Sequence, residues 1–341
     1  MALTKVRAGS VDLNRTNSES GLRMPTGGAF SGTAVEGMIR NDTTQTSGGS
    51  ASTMQHYNGS DWKNFVNANP PLDIEYLVVA GGGGGGNSSG RSGAGGAGGL
   101  LTNYNSTKIT LNTGSAMNFQ VGAGAVNPGT IQLAGNNGEN SFLNASSAGF
   151  QDITAIGGGG GGGGTSSSTA NGKSGGSGGG AAYLGGTTGG AGTTGQGNSG
   201  GTGGTLYAGG GGGGAGGAGG NAPTSNTGGA GGVGLAVNIL NSTNAGTASV
   251  GEVIGSDVFY AGGGGGGFTG SGGAGGNGGG GNGSSSAGGA GTANTGGGGG
   301  GQGNDTTSTS GAGGSGVIIL RYPSIFTCTV SAGDNANSPF T

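Results

Sequence analysis

Charged side chains are scarce in this chain: they make up 7% of its 341 residues, against about 25% in an ordinary globular domain. Apolar residues are also few, at 29%, where about 45–50% is usual, so one or two conventional hydrophobic cores are excluded. Low hydrophobicity often means disorder, but disordered chains carry charge or proline to keep them expanded. Here there are only 7 prolines. The net charge of −3 speaks against nucleic acid as a partner, because phosphate binding needs clustered Lys and Arg. A single cysteine, Cys328, excludes an internal disulfide framework. No window approaches the ~20 apolar residues of a membrane span. The amino terminus, "MALTKVRAGSVDLNRTNSES", lacks an apolar h-region and does not read as a secretory signal. Work outside a cell would therefore need another exit, such as lysis or virion assembly.

Glycine takes the vacated place, with 102 residues. Its distribution divides the chain into three. Residues 1–74 hold roughly half of the charged side chains and read as a separate module. Residues 75–322 are the glycine region, and 323–341 form a short mixed tail. Between Gly81 and Gly316 the only charges are Arg91, Lys108, Glu139, Asp152, Lys173, Glu252, Asp257 and Asp305.

The glycine region is patterned. Unbroken runs stand at 81–86, 157–164, 209–214, 262–267 and 296–301. Most follow a short apolar or aromatic lead-in such as "YLVVA" or "VFYA" and are separated by polar loops such as "NSSGRS" and "TSSSTANGKS". Where other runs are interrupted, the interruptions fall three apart: Ala94 and Ala97; Ser174 and Ser177; Ala215, Ala218 and Asn221; Thr227, Ala230 and Val233; Ser271, Ala274 and Asn277; Ala287 and Ala290; Ala312 and Ser315. A strand repeats every ~2 residues and an α-helix every ~3.6, whereas a polyproline II helix repeats every ~3. One edge of such a helix can carry small side chains while the bare edges let neighbouring backbones approach and pair their N–H and C=O groups. Collagen shares the period but needs long uninterrupted arrays rich in proline, and these runs are short, loop-broken and nearly proline-free.

Glycine alone would be marginal. Ordering a residue costs roughly 1–2 kcal/mol, glycine most of all, and a net hydrogen bond contributes about 0.5–1.5 kcal/mol. Aliphatic segments supply the anchor: "YLVVA" (76–80), "KITLN" (108–112), "MNFQVGA" (117–123), "TIQLA" (130–134), "VGLAVNIL" (233–240) and "GVIILRY" (316–322). "KITLN" and "MNFQV" alternate like half-buried strands, and "YLVVA" and "VIILRY" read as central ones. The expected fold is mainly β with polyglycine II helices: short strands anchoring a packed slab of left-handed glycine helices, with few or no α-helices.

The ordered series "YLVVAGGGGGG…GAGGAGGLL…MNFQVGAG…ITAIGGGGGGGG…YAGGGGGGAGGAGG…YAGGGGGG…GGSGVIILRY" resembles the glycine-rich domains of phage tail-fibre and virion proteins, over about residues 75–322. It is similar, more remotely, to tail-fibre tip adhesins with packed polyglycine II helices, and to the glycine-rich ectodomain of anaplastic lymphoma kinase, whose expected cysteines are missing here. Separately, "GTAVEGMIRNDTTQTSGGSASTMQHYNGSDWKNFV" (32–66) resembles a two-stranded hairpin module repeated in phage fibres. The matching positions are Gly37, Ile39, Arg40, Asn41, Thr43, Tyr57, Asn58, Gly59 and Trp62, and an insert, "QTSGGSAS", separates the halves.

The resemblance implies a virion fibre or adhesin made in the host cytoplasm without a signal peptide. Its loops would meet a host glycan or outer-membrane protein, and residues 1–74 would trimerise or dock to other virion proteins. The candidate receptor contacts are Asn87, Arg91, Lys173, Tyr183, Phe268 and Asp305, with Tyr104 and Tyr207 as further loop aromatics. Two readings stand beside it: a structural or decoration virion protein with no receptor, and a self-assembling extracellular filament protein. Nothing points to an enzyme, cofactor or metal. "NGKS" offers Gly172-Lys173-Ser174 as the end of a phosphate loop, but the first glycine would stand where Ser167 is. His56 is the lone histidine. G-x-G-x-x-G matches carry no weight in so glycine-rich a chain.

Overall fold

The computed structural model describes residues 26–27, 39–42, 53–57, 59–64 and 72–326, apart from gaps at 89–90, 113–115, 128, 130–131, 146–150, 165–166, 184–186, 205–206, 223–226 and 304–308. The chain forms two compact units, Met1–Pro71 and Leu72–Thr341.

In the first unit, β1 (Thr26–Gly27), β2 (Ile39–Asp42), β3 (Thr53–Tyr57) and β4 (Trp62–Asn64) form one sheet in that order. β1 lies parallel to β2, and the other pairs are antiparallel. Tyr57 pairs with Trp62 across a turn, where the hairpin motif set two strands joined by a turn. Gly37, Thr43, Asn58 and the whole insert lie outside the described residues.

The second unit is built on β5 (Leu72–Val79). β6 (Leu100–Thr102) flanks it on one side, β7 (Ile109–Leu111) pairs with its first half, and β14 (Val317–Arg321) runs antiparallel along its other side. β14 is thus an edge strand rather than a central one. β5 is the strand buried on both faces, and strand periodicity divides its side chains. Leu77 and Val79 join Leu100, Val237, Ile239, Val258, Tyr260 and Val317 on one face, whereas Val78 and Ala80 meet Leu143, Ile153 and Ala155 on the other. Burying each such side chain contributes about 1.5–3 kcal/mol.

Two small sheets supply Leu143, Ile153, Ala155, Val258 and Tyr260 among these partners. One orders β10 (Ile153–Ala155), β9 (Ser141–Ala145) and β8 (Met117–Gln120); the other orders β11 (Leu235–Ala236), β13 (Asp257–Tyr260) and β12 (Glu252–Ile254). β12 and β13 are joined by a two-residue turn with Gly255 at φ 63°, a conformation that glycine adopts without strain. Helices are limited, among the described residues, to α1 (Ser167–Ala170) and α2 (Ser242–Ala248). The Asn241 side chain caps α2 by accepting the Asn244 N–H at 2.8 Å, which satisfies one of its orphan donors.

Some sequence expectations resolve differently. "TIQLA" forms no strand among its described residues: Gln132 has φ 68° and Leu133 makes a single bridge to Asn87. In β8 the half-buried alternation is absent, and Phe119 is exposed.

The glycine segments carry no strand or helix assignment, yet their backbones are paired. The central segment, 92–98, shows the rule. Gly93 and Gly96 donate their N–H groups to Gly162 and Gly159 (2.9 and 2.8 Å), Ala94 and Ala97 to Gly210 and Gly213 (3.1 and 2.9 Å), and Gly95 and Gly98 to Gly299 and Gly296 (2.8 and 2.9 Å). Its carbonyls accept in the same rotation, from Gly86 and Gly83, from Gly180 and Ser177, and from Gly267 and Gly264. Partners therefore recur every third residue, and each residue of the repeat faces a different neighbour. Segment 81–86 repeats the pattern towards Glu139 and Asn136, Gly314 and Gly311, and Gly96 and Gly93. Spacing this close admits no Cβ: one built on Gly83 would stand 2.2 Å from the Gly159 oxygen, and one on Gly211 1.9 Å from the Ala230 oxygen.

Burial matches the pattern of interruption. All five unbroken runs are buried throughout. Thr227, Ala230, Val233, Ser271, Ala274 and Asn277, set every third residue, are exposed. The small-residue edge of an interrupted segment is thus its solvent edge. Ala94, Ala97 and Ser177 depart from this and are fully buried; Ala97 does so by joining the apolar cluster around Leu77.

Some buried side-chain groups are out of keeping with this pairing, the Tyr260 hydroxyl among them. Tyr260 is fully buried, and its hydroxyl has no partner among the described residues. Burial also pushes its phenol well above the ordinary tyrosine pKa. A buried polar group without a partner costs about 1–3 kcal/mol. Tyr260→Phe should then raise stability by about 1 kcal/mol and the melting temperature by about 2–4 °C. A clear fall in thermal melting would show that the hydroxyl is bonded.

Candidate functional site

The second unit has two unlike ends. β5, β6 and β14 mark one, where the chain enters at Leu72 and where Arg321 pairs with Glu75. The Arg321 Nη1 donates to Glu75 Oε2 at 3.1 Å, and Glu75 is buried. Polar loops gather at the other end, as their mutual bonds show. Asn87 bridges Leu133 and Ala208 bridges Phe268. The Arg91 N–H donates to Gly303 O and the Ala182 N–H to Ala170 O.

The candidate contacts separate once placed. Asn87 and Phe268, at 1% and 6% exposure, are packed within the loop end and offer little surface to a macromolecule. Lys173 is exposed on the flank, its N–H bonded to Gly160 O in mid-run; α1 precedes it, so no phosphate loop leads into a helix there. Asp305 lies outside the described residues. Tyr104 belongs to the strand end, with the Arg321 guanidinium 5.9 Å from its ring.

Arg91, Tyr183 and Tyr207 converge. The Arg91 guanidinium carbon stands 3.8 Å from the centroid of Tyr207 and 5.3 Å from that of Tyr183. The two rings are 5.2 Å apart and tilted by 42°. A cation over an aromatic face is attracted by the ring quadrupole, by about 0.5–2 kcal/mol according to its exposure. The Arg91 loop is strapped to the chain at 302–303: Ser92 Oγ accepts the Gln302 N–H at 2.8 Å, and the Gln302 side-chain amide donates to Ser88 O. Arg91 and Tyr207 both hold left-handed φ angles, 74° and 66°, which cost non-glycine residues about 1–2 kcal/mol. The Arg91 Nε and the Asn87 Oδ1 are buried without a hydrogen-bond partner among the described residues. Aromatics in separate loops were visible in the sequence, but their meeting on Arg91 was not, because 92 and 116 positions separate them from it with no local signal.

An open cleft of about 540 Å³ lies at the strand end, lined by Tyr76, Leu101, Ile109 and residues 151–154. Asp152 is its one carboxylate, so it offers no acid–base pair. Among the described residues there is no group of three metal-ligating side chains, and no helix is long and apolar enough to cross a membrane.

A family model described as a glycine-rich domain matches residues 62–323. The chain belongs to that family. No curated protein matches the sequence. The glycine-rich domain takes in every unbroken glycine run and both β5 and β14, so its matched span closes just after the strand that pairs back onto β5. Arg91, Tyr183 and Tyr207 all fall inside it.

Proposed function

We propose that the protein is a phage virion fibre or tail-fibre adhesin that binds a host-surface receptor through loops at one end of a rigid glycine scaffold. The observation that carries this reading is the division of the second unit. Its chain enters through β5 at the strand end, while the polar loops and the Arg91–Tyr183–Tyr207 cluster occupy the opposite end. Binding residues tend to sit on loops held by a rigid framework. The sequence likeness of both units to fibre modules supports the same reading, with residues 1–74 serving oligomerisation or attachment to the virion.

In this reading the glycine segments are left-handed polyglycine II helices. Hydrogen-bond partners that rotate with a three-residue period support it. So does the sign of φ: within the five unbroken runs only Gly164 and Gly296, at run ends, have positive values. Such a slab needs no disulfide or metal to be stiff, because neighbouring backbones hold one another throughout.

The test is binding of the labelled full chain to a panel of bacteria, with loops 87–92, 165–174 and 302–310 replaced one at a time. Saturable binding to some strains, lost on replacing a loop of the distal end, is the expected result. A folded protein that binds no strain would instead favour a spacer or decoration protein of the virion, and polymerisation of the purified chain would favour a filament.

A further inference from the structure

Arg91 is an unusual arginine for this molecule. Its guanidinium has five N–H donors, yet among the described residues it makes no ion pair and no side-chain hydrogen bond, and its Nε is buried. The unit's other arginine, Arg321, holds Glu75. Stacking on the tyrosines takes up a face of the planar group but none of its edge donors. A buried donor left without an acceptor is costly, and here the two left-handed residues at the cluster add to that cost. Packing alone gives no reason for such an arrangement, since a leucine or methionine would cover the tyrosines without leaving donors unmet.

We propose that Arg91, Tyr183 and Tyr207 form a binding site for an anionic sugar, one bearing a carboxylate or a phosphate. This rests on the adhesin reading above and names the chemistry of its receptor. Arginine presents a planar fork whose parallel N–H groups match the two oxygens of a carboxylate or phosphate. Its guanidinium carbon is already held 3.8 Å from the Tyr207 ring centroid, so less side-chain freedom remains to be lost on binding. Tyr207 is 50% exposed, and its open part offers a flat apolar surface beside the cation, suited to the C–H face of a pyranose ring. An oxyanion on that sugar would then meet the outer Nη groups of the guanidinium, the Nε being buried. A neutral sugar would use the ring but leave the arginine unmet, so charge is the expected discriminator.

The experiment is calorimetric titration of the full chain with three probes: an oligomer of glucuronic acid, glucose 1-phosphate, and a neutral glucose oligomer of matched length. In parallel, the Arg91 side-chain N–H resonance is followed by NMR. Saturable binding of the glucuronate oligomer or the sugar phosphate is expected, with a shift of the Arg91 Nε–H signal and affinity more than about tenfold above the neutral oligomer. Whichever anionic probe binds identifies carboxylate or phosphate as the source. Arg91→Gln should lose that preference, Arg91→Lys should recover it only in part, and Tyr207→Ala should weaken both charged and neutral binding. Each variant is checked for an unchanged backbone amide spectrum.

Absence of binding by both anionic probes, equal affinity for the neutral oligomer, or unchanged affinity in folded Arg91→Gln would each overturn the proposal. Cell binding separates this failure from that of the adhesin reading. Wild-type cell binding retained by Arg91→Gln leaves an adhesin with a different site. Anionic-sugar binding by a protein that attaches to no cell keeps the site and removes the adhesin.

Discussion

Gly83→Val or Gly211→Val should abolish folding of the glycine-rich unit at ordinary temperature. Each new Cβ would stand about 2 Å from a backbone carbonyl oxygen of a neighbouring segment, Gly159 in one case and Ala230 in the other. The clashing atoms are main chain, so no rotamer change relieves them. The segment must move outward by more than an ångström, and it takes its hydrogen bonds with it. Overpacking a core costs about 1–3 kcal/mol, and each buried backbone group left without a partner adds about 1–3 kcal/mol. With several groups freed at once, the loss exceeds the 4–5 kcal/mol that marks an exceptional single substitution. Two controls set the scale. Ala218→Ser, on a solvent-facing edge, should be near neutral. Gly246→Ala, in α2 with open space about its Cα, should stabilise by about 0.5–1 kcal/mol. Denaturant melts of the four variants decide the matter. Equal tolerance at 83, 211 and 218 would mean that the glycine segments do not pack as described.

Those same positions show what could be read from the sequence alone. The three-residue spacing of Thr227, Ala230 and Val233, or of Ser271, Ala274 and Asn277, is visible in the chain, and the structure sets those residues at the surface. Runs with no interruption are the interior ones, because a segment surrounded on all sides has no edge to spare for a Cβ. Ala94 and Ala97 carry the same spacing yet lie in the central segment. Spacing marks an edge that tolerates a methyl group but does not say whether solvent or a cluster of aliphatic side chains lies beyond it. Strands β9, β12 and β13 and helix α2 went unread because each is short and mixed in polarity, formed by the partner it meets rather than by its own pattern. At the site, polar loops and their aromatics were legible. Burial of Asn87 and Phe268 was not, since it depends on which loops abut, and neither was the approach of Tyr207 to Arg91.

Leu77→Ala should bring down the glycine array together with the strands. Leu77 is fully buried at the centre of β5 and touches the cluster that includes Ala97 of the central glycine segment. Removing a buried leucine side chain costs about 2–5 kcal/mol. The array gains about 0.5–1.5 kcal/mol per hydrogen bond against roughly 1–2 kcal/mol per ordered residue, so it has little stability of its own. If the aliphatic strands supply what the array lacks, the two must unfold as one cooperative body. Hydrogen exchange at Gly95, Gly96 and Gly98, whose N–H groups bond to the two neighbouring runs 296–301 and 157–164, reads this directly. In Leu77→Ala their protection should fall by roughly two orders of magnitude, in step with that of Val78 and Val79. Protection that persists at the glycines while the strands exchange freely would show an array stable through its backbone bonds alone, and the apolar anchor would then be a means of joining the slab to its strands rather than the source of its stability.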